Sequence, residues 1–209
     1  MIMDAISTGI QDTYYSIEAP SSGIYRDLGS KFLAFAYPVS TEDEAKAIIA
    51  SVKKEYFDAR HHCFAWRLGY DGAKWRVNDD GEPSSTAGRP ILGQILSNSL
   101  SDILIVVVRY FGGTKLGVPG LIKAYKSASA DALASAVRVT KVACADYHVS
   151  FAYESMNQVM KVVKDMGLQV SGQQFEAECS LHVRVPLSLR ADFERNIGRL
   201  CIDINYFAL

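Results

Sequence analysis

The sequence predicts an α+β protein in two successive blocks, an amino-terminal mixed-sheet domain over residues 1–138 and a carboxy-terminal βαββαβ domain over residues 139–209. Three observations carry that prediction. Apolar residues recur with period 2 in some stretches and with helical period in others, so both element types are present along the chain. The run "DILIVVVRYF" is apolar and β-branched without interruption, the pattern of a strand covered on both faces. Beyond residue 140 the strand-like runs alternate cleanly, the pattern of a sheet covered on one face. The 209 residues are 49% hydrophobic and 22% charged, proportions that leave ample material for the core of one large or two small domains.

In the first block, "TYYSIEA" and "SKFLAFAYPV" read as strands joined by a turn at "PSSG". "STEDEAKAIIASVKKEYF" offers Thr41 and Glu44 as a capping box and puts Ala45, Ile48, Ile49, Val52 and Tyr56 on one face, which predicts a helix over 42–57. "HHCFAWRLGY" places His62, Phe64, Trp66, Leu68 and Tyr70 on one face of a strand, and "NDDGEPSSTAGRP" follows as a long polar loop. A short helix in "PILGQILSN" leads into "DILIVVVRYF". After the glycines, Leu121, Tyr125, Ala128, Ala132 and Ala136 form a helical stripe. The order is ββαβ(β)αβα, a mixed sheet with helices packed on it.

In the second block, Ala143, Ala145, Tyr147, Val149 and Phe151 alternate inward along a strand. Met156, Val159, Met160 and Val163 then share a helical face that stops at Gly167. Two strands, "LQVSGQQFEAE" and "CSLHVRVPL", precede a helix carrying Leu189, Phe193, Ile197 and Leu200, and "CIDINYFAL" closes the chain as a strand. The sequence βαββαβ is that of ferredoxin-like domains, in which the first and third strands are neighbours. His148, His182 and Arg184 all fall on the polar register, where the two histidines can lie side by side; a metal there would need further ligands.

Composition excludes several function classes. The amino terminus places Asp4 where a secretory signal needs cationic residues, and no apolar run approaches the roughly 20 residues of a membrane span, so a cytoplasmic location is expected. Cys63, Cys144, Cys179 and Cys201 form no CxxC pair and are expected to be reduced and largely packed. The net charge is −1, yet residues 60–126 carry +4 and the remainder −5, which points an anionic ligand to the middle of the chain.

Three motifs there carry candidate chemistry. In "RHHC", His61 and Cys63 share one strand face and His62 takes the other, so the trio cannot hold one zinc ion; one histidine packs and the other faces a ligand. In "DDGEPSSTAG", Asp79, Asp80 and Glu82 could hold Mg²⁺ or act as bases, Ser84, Ser85, Thr86 and the loop N–H groups could hold an anion, or the whole could be a turn capped by Ser85 or Thr86. In "RYFGGTKLGVPG", Gly112, Gly113 and Lys115 precede a helix amino end, a combination suited to phosphate, though the spacing is neither GxxxxGK[ST] nor GxGxxG. Tyr110 and Phe111 beside Arg109 could stack on a base or finish the core.

Together, "RDLGSKFLAFAYPV", "ARHHCFAWRLG", "DDGEPSSTAGRPIL" and "VVVRYFGGTKLGVPGLIKAY", in this order over residues 26–125, closely resemble the IMPACT family in its bacterial, two-domain form. Departures are Ser85, where the family often has glycine, Pro119 in place of a glycine and Lys123 in place of an arginine. The resemblance implies an amino-terminal domain similar to the βαβ fold of a small-subunit ribosomal protein and ribonuclease PH, and a carboxy-terminal domain similar to those of elongation factor G. It also implies a role in regulation of translation. Eukaryotic members restrain an amino-acid-starvation kinase through an extra amino-terminal domain, and too few residues precede Arg26 here for that role to be expected.

The leading expectation is a binding protein that engages RNA or a ribosome-associated partner, with no membrane and no sequence-specific DNA contact. His61, Cys63, Ser84, Thr86, Arg89, Arg109, Tyr110, Gly112, Gly113, Lys115 and Lys123 would line a basic cleft for a phosphate or other anion, with no cofactor or resident metal. The alternative is a hydrolase or transferase on a nucleotide or phosphorylated substrate, with His61 or His62 as acid or base and Asp80 or Glu82 holding Mg²⁺.

Overall fold

The computed structural model describes residues 12–176 and 178–207; Asp4, on which the localisation expectation rests, lies outside them. The chain divides into two compact units, one spanning Tyr14–Lys141 and the other running from Val142 onward together with Asp12 and Thr13.

Apart from the terminal residues Thr13 and Val142, the first unit holds strands β1 (Thr13–Ile17), β2 (Ser21–Asp27), β3 (Ser30–Pro38), β4 (His61–Leu68), β5 (Lys74–Asn78), β6 (Ile103–Tyr110) and β7 (Arg138–Val142), with helices α1 (Glu42–Glu55), α2 (Gly88–Ser97) and α3 (Gly117–Ala134). Five strands form one sheet in the order β2-β3-β6-β4-β5, and β1 pairs with β7 apart from it. Every pairing in the large sheet is antiparallel, which corrects the expected mixed sheet. The reason is topological. β3 and β4, joined through α1, run the same way but are not neighbours, because β6 enters between them in the opposite direction.

The expected turn at "PSSG" is also corrected. Residues 21–27 are strand β2, and the chain reverses at Leu28 and Gly29, both with positive φ. Gly23 marks a close approach rather than a turn, since a Cβ there would meet the backbone nitrogen of Ala132 in α3 at 2.2 Å. "TYYSI" is β1 and does not join β3.

Both faces of the sheet are covered, as the unbroken apolar run of β6 requires. On one face Phe32, Cys63, Ala65, Ile103, Ile105 and Val107 pack with Ile91, Ile95, Leu121, Tyr125 and Ala128 of α2 and α3. On the other Phe64, Trp66, Leu104, Val106 and Val108 pack with Ala45 and Val52 of α1. α1 begins as expected, with Thr41 Oγ1 accepting from the N–H of Glu44 at 3.1 Å, while the Glu44 carboxylate takes the N–H of Ser40.

The second unit contains β8 (Cys144–Ala152), α4 (Met156–Asp165), β9 (Gln169–Phe175), β10 (Glu178–Pro186), α5 (Arg190–Ile197) and β11 (Asp203–Phe207). Its antiparallel sheet has the order β11-β8-β10-β9, so the first and third strands are adjacent. Ala145, Tyr147, Val149 and Phe151 alternate inward with Leu181, Val183 and Val185 against Val159, Val163, Phe193 and Ile197 of the two helices. α4 ends at Gly167, whose φ is +64°.

Among the described residues no helix is long and apolar enough to cross a membrane. All four cysteines are free.

Candidate functional site

The motif segments meet at one end of the five-stranded sheet, on the face carrying α2 and α3. His61 pairs with Arg109 across β4 and β6, and Phe32 pairs with Arg109 from β3, so three strand ends present side chains to the same place. The loop 79–87 closes over them. Its Glu82 carboxylate is buried, and Oε1 accepts from Arg109 Nη1 at 2.5 Å and from the Tyr125 hydroxyl at 2.8 Å. A buried carboxylate is tolerated only when paired and hydrogen-bonded, and here both conditions hold.

The same cluster fixes His61 and Cys63. His61 Nδ1 lies 2.8 Å from the carbonyl of Asp80. A carbonyl only accepts, so the proton sits on Nδ1 and Nε2 is left facing Glu82 Oε1 at 4.0 Å. Cys63 Sγ lies 3.0 Å from the Asp79 carbonyl and 3.2 Å from the Tyr125 hydroxyl, and burial pushes its thiol well above the ordinary range. Burial likewise raises the Tyr125 phenol, aided by the neighbouring Cys63 and Glu82. Cys63 is thus a packed thiol and not a nucleophile.

His62 points the other way, as strand alternation requires. Its Nε2 donates to the carbonyl of Tyr56 at 2.9 Å beside the end of α1, and its backbone N–H donates to Asp80 Oδ2 at 2.7 Å. Asp80 also takes Lys53 Nζ at 2.9 Å. Burial pushes its carboxyl up, but Lys53 and the His62 N–H outweigh burial and leave it below the ordinary value. Tyr110 shares the His62 side of the sheet, where its hydroxyl donates to Asp58 at 2.9 Å.

Within the loop, Asp79 does what Ser85 or Thr86 was expected to do. Its carboxylate accepts from the N–H groups of Ser85 (2.8 Å), Ala87 (3.0 Å) and Gly88 (2.8 Å), closing the amino end of α2 from outside the helix. Thr86 is buried and donates its hydroxyl to the Pro83 carbonyl instead. Ser85 has a φ of +64°, which explains why glycine suits this position. Ser84 is exposed, and Arg89 lies in solvent over the Trp75 ring at 5.1 Å.

The glycine loop is open. Gly112 donates its N–H to Ser30 Oγ at 3.1 Å, and a Cβ on it would strike the Gly29 backbone at 1.9 Å, so the β2–β3 reversal sits directly against it. Gly113 (φ +91°) and Gly117 (φ +71°) meet nothing within 4 Å. Phe111 is half exposed, with the Arg109 guanidinium 5.7 Å from its ring, and Lys115 and Lys123 face solvent. α3 starts without a side-chain cap and without an acidic residue in its first turn.

The structure therefore gathers His61, Cys63, Glu82 and Arg109 into one cluster, buried except for the part-exposed His61, sets Gly112, Gly113, Lys115 and Lys123 on the open loop and helix beyond it, and places His62 and Tyr110 across the sheet. By period Tyr125 is a helical stripe residue. Its hydroxyl was the available signal, a polar tip in a stripe otherwise of leucine and alanine. Among the described residues Arg109 Nε is buried without a hydrogen-bond partner, and no group of three or more His, Cys, Asp or Glu could hold a metal ion.

Residues 28–133, the span that contains every member of this cluster, match the Impact N-terminal domain. The chain belongs to the IMPACT family. The IMPACT family member YigZ of Escherichia coli is 32% identical over 182 residues, covering 86% of this chain and 89% of that protein. The IMPACT family member YvyE of Bacillus subtilis is 44% identical over 104 residues, about half of each chain. A crystal structure described as a hypothetical protein superposes with a TM-score of 0.70 at 29% identity, covering 96% of this chain and 98% of that one. The similarity to YigZ and to that structure extends through both units of this IMPACT-family chain.

Proposed function

We propose that this chain acts in the cytoplasm in regulation of translation, engaging RNA or a ribosome-associated partner through the glycine loop and the start of α3. Membership of the IMPACT family supports the setting. The carrying observation is a contrast among three helix starts. α1 begins with Thr41 and three acidic residues, and α2 is closed by Asp79, whereas α3 begins uncapped and without an acid, behind Gly113 and Lys115. An open helix start flanked by lysines and the half-exposed Phe111 suits a phosphate backbone with a base against the ring.

The proposed ligand surface is narrower than the cleft expected from sequence. Arg109 is neutralised by Glu82 and buried, so it positions the loop and Phe111. His61 and Cys63 support the wall behind it. No cofactor is part of this reading. The finer fold readings belong to it too: the β11-β8-β10-β9 order suits a ferredoxin-like domain similar to those of elongation factor G, and for the first unit the family resemblance supports the fold of the ribosomal protein and ribonuclease PH.

The test is titration of a single-stranded RNA by fluorescence anisotropy at several salt concentrations. Affinity is expected to fall with salt, and Lys115→Ala with Lys123→Ala to lower the log–log slope by about 1.4, or 0.7 per lost phosphate contact. Absence of binding at low salt would remove the RNA reading.

A second reading, hydrolysis or transfer on a nucleotide or phosphate ester with Mg²⁺, is favoured by one observation, the fixed Nδ1–H tautomer that leaves His61 Nε2 free to accept a proton. Turnover lost in His61→Ala and retained in Lys115→Ala would establish it.

A further inference from the structure

The second unit carries an arrangement that this reading does not use. α4 and α5 cover one face of its sheet, which leaves residues 146, 148, 150, 180, 182 and 184 on the other, all half-buried or exposed. At the centre of that face His148 of β8 and His182 of β10 are direct partners in the antiparallel register. Their ring centroids are 4.8 Å apart with planes inclined by 54°. Among the described residues neither ring makes a hydrogen bond, unlike His61 and His62, each of which bonds a main-chain carbonyl.

The neighbouring strand is shaped around the pair. The β9–β10 register slips between Ser180 and His182, so that Ser180 faces Gln174 while His182 faces Ser171. The extra residue of this bulge falls beside Gly172, which has a φ of +57° and where a Cβ would come within 2.6 Å of His182 Cδ2. A bulge with a glycine at the contact makes room for the imidazole, and bulges of this kind re-aim side chains.

We propose that His148 and His182 form a two-point binding site for a borderline divalent cation of the Zn²⁺ or Cu²⁺ class. With metal–nitrogen bonds of about 2.1 Å, two imidazoles on one ion have ring centroids roughly 4.5 Å apart at a right angle and roughly 5.2 Å apart at a tetrahedral angle. The observed 4.8 Å lies between these limits, so the ring separation already present is the one a shared ion requires. Asp146 lies opposite Arg184, and Asp203 stands on β11 opposite Ser150, so two carboxylates and one guanidinium border the pair and the surroundings favour a cation. No third His, Cys, Asp or Glu completes the set among the described residues. The site is therefore open, with its remaining positions held by water or by a ligand from a bound partner, unlike the closed four-ligand sites that hold a fold together.

The experiment is calorimetric titration of the untagged full chain with Zn²⁺, and separately with Cu²⁺ followed by electron paramagnetic resonance. The expected result is one saturable equivalent, with nitrogen hyperfine structure in the copper signal. His148→Asn and His182→Asn should each weaken binding about tenfold or more, and the double substitution should abolish it. Both side chains lie on the open face, and far-UV circular dichroism of each variant checks that the fold is kept. Lack of saturable binding in the parent chain, or undiminished binding in the double variant, would overturn the proposal. Neither outcome bears on RNA binding by the first unit.

Discussion

The two units solve the same problem, covering an antiparallel sheet, in different ways. In the first, helices lie on both faces, and polar groups near the strand ends are enclosed by loop 79–87 and must satisfy one another: Glu82 holds Arg109 and Tyr125, and Asp79 holds three N–H groups. In the second, helices lie on one face, so the polar residues of β8 and β10 face outward. Even its tyrosine–acid contact, Tyr147 with Glu194, lies at the edge of the core, where burial first and the carboxylate second push the phenol up to about 12. Closure of loop 79–87 over the strand ends is what turns these polar side chains into a buried network.

The largest expected effect tests that contrast directly. Glu82→Ala leaves Arg109 buried without its partner and should cost about 3–5 kcal/mol, whereas Glu82→Leu with Arg109→Met should recover most of the loss. Trp66 and Trp75, the chain's two tryptophans, both lie in the first unit and report its unfolding in urea. Arg184→Ala on the open face of the second unit, followed by circular dichroism, should change stability by less than about 0.5 kcal/mol. A Glu82→Ala cost as small as that of Arg184→Ala would break the comparison.

A smaller effect separates the helix starts within the first unit. Asp79→Ala removes the acceptor for three N–H groups and should cost about 2 kcal/mol, at the upper end of measured caps, against about 1 kcal/mol for Thr41→Ala. Equal costs would mean that the loop N–H groups find water when Asp79 is gone, and that the start of α2 is as open as that of α3.

The smallest effect is a pH dependence shared by both units. The folded carboxyl of Asp80 lies below its ordinary value of 3.8 despite burial, because Lys53 and the His62 N–H hold it charged. Glu194 lies below 4.5 through its bonds from Tyr147 and Arg190. Each depressed carboxyl contributes stability that is present above its unfolded value and is lost as pH falls through the folded one. Denaturant midpoints should therefore drop below about pH 4.5, and Asp80→Asn should make the fall shallower by tryptophan fluorescence while leaving the second unit's fall unchanged.

Much of the fold was legible because period and capping are local. The continuous run of β6, the Thr41 start of α1 and the inward alternation from Ala143 to Phe151 all reflect which faces are covered. Gly23 misled for the opposite reason: a turn glycine and a close-approach glycine look alike until α3 is placed against β2. The candidate site was half legible. Strand alternation separated His61 from His62, but nothing local distinguished Asp79 as the closure of α2 or assigned Glu82 to Arg109, 27 residues away.

By itself the sequence determined the α+β class, the helix and strand periods, the family and the opposed faces of His61 and His62, because each depends on residues close in the chain or on a motif order that survives without coordinates. Only the tertiary structure decided that β6 enters between β3 and β4 to make the sheet antiparallel, that Arg109 is spent on Glu82 while the start of α3 stays open, and that a bulge at Gly172 seats His182 against His148. Those outcomes depend on which partners arrive to satisfy a buried charge or fill a gap. A partner's arrival is a property of the packed chain.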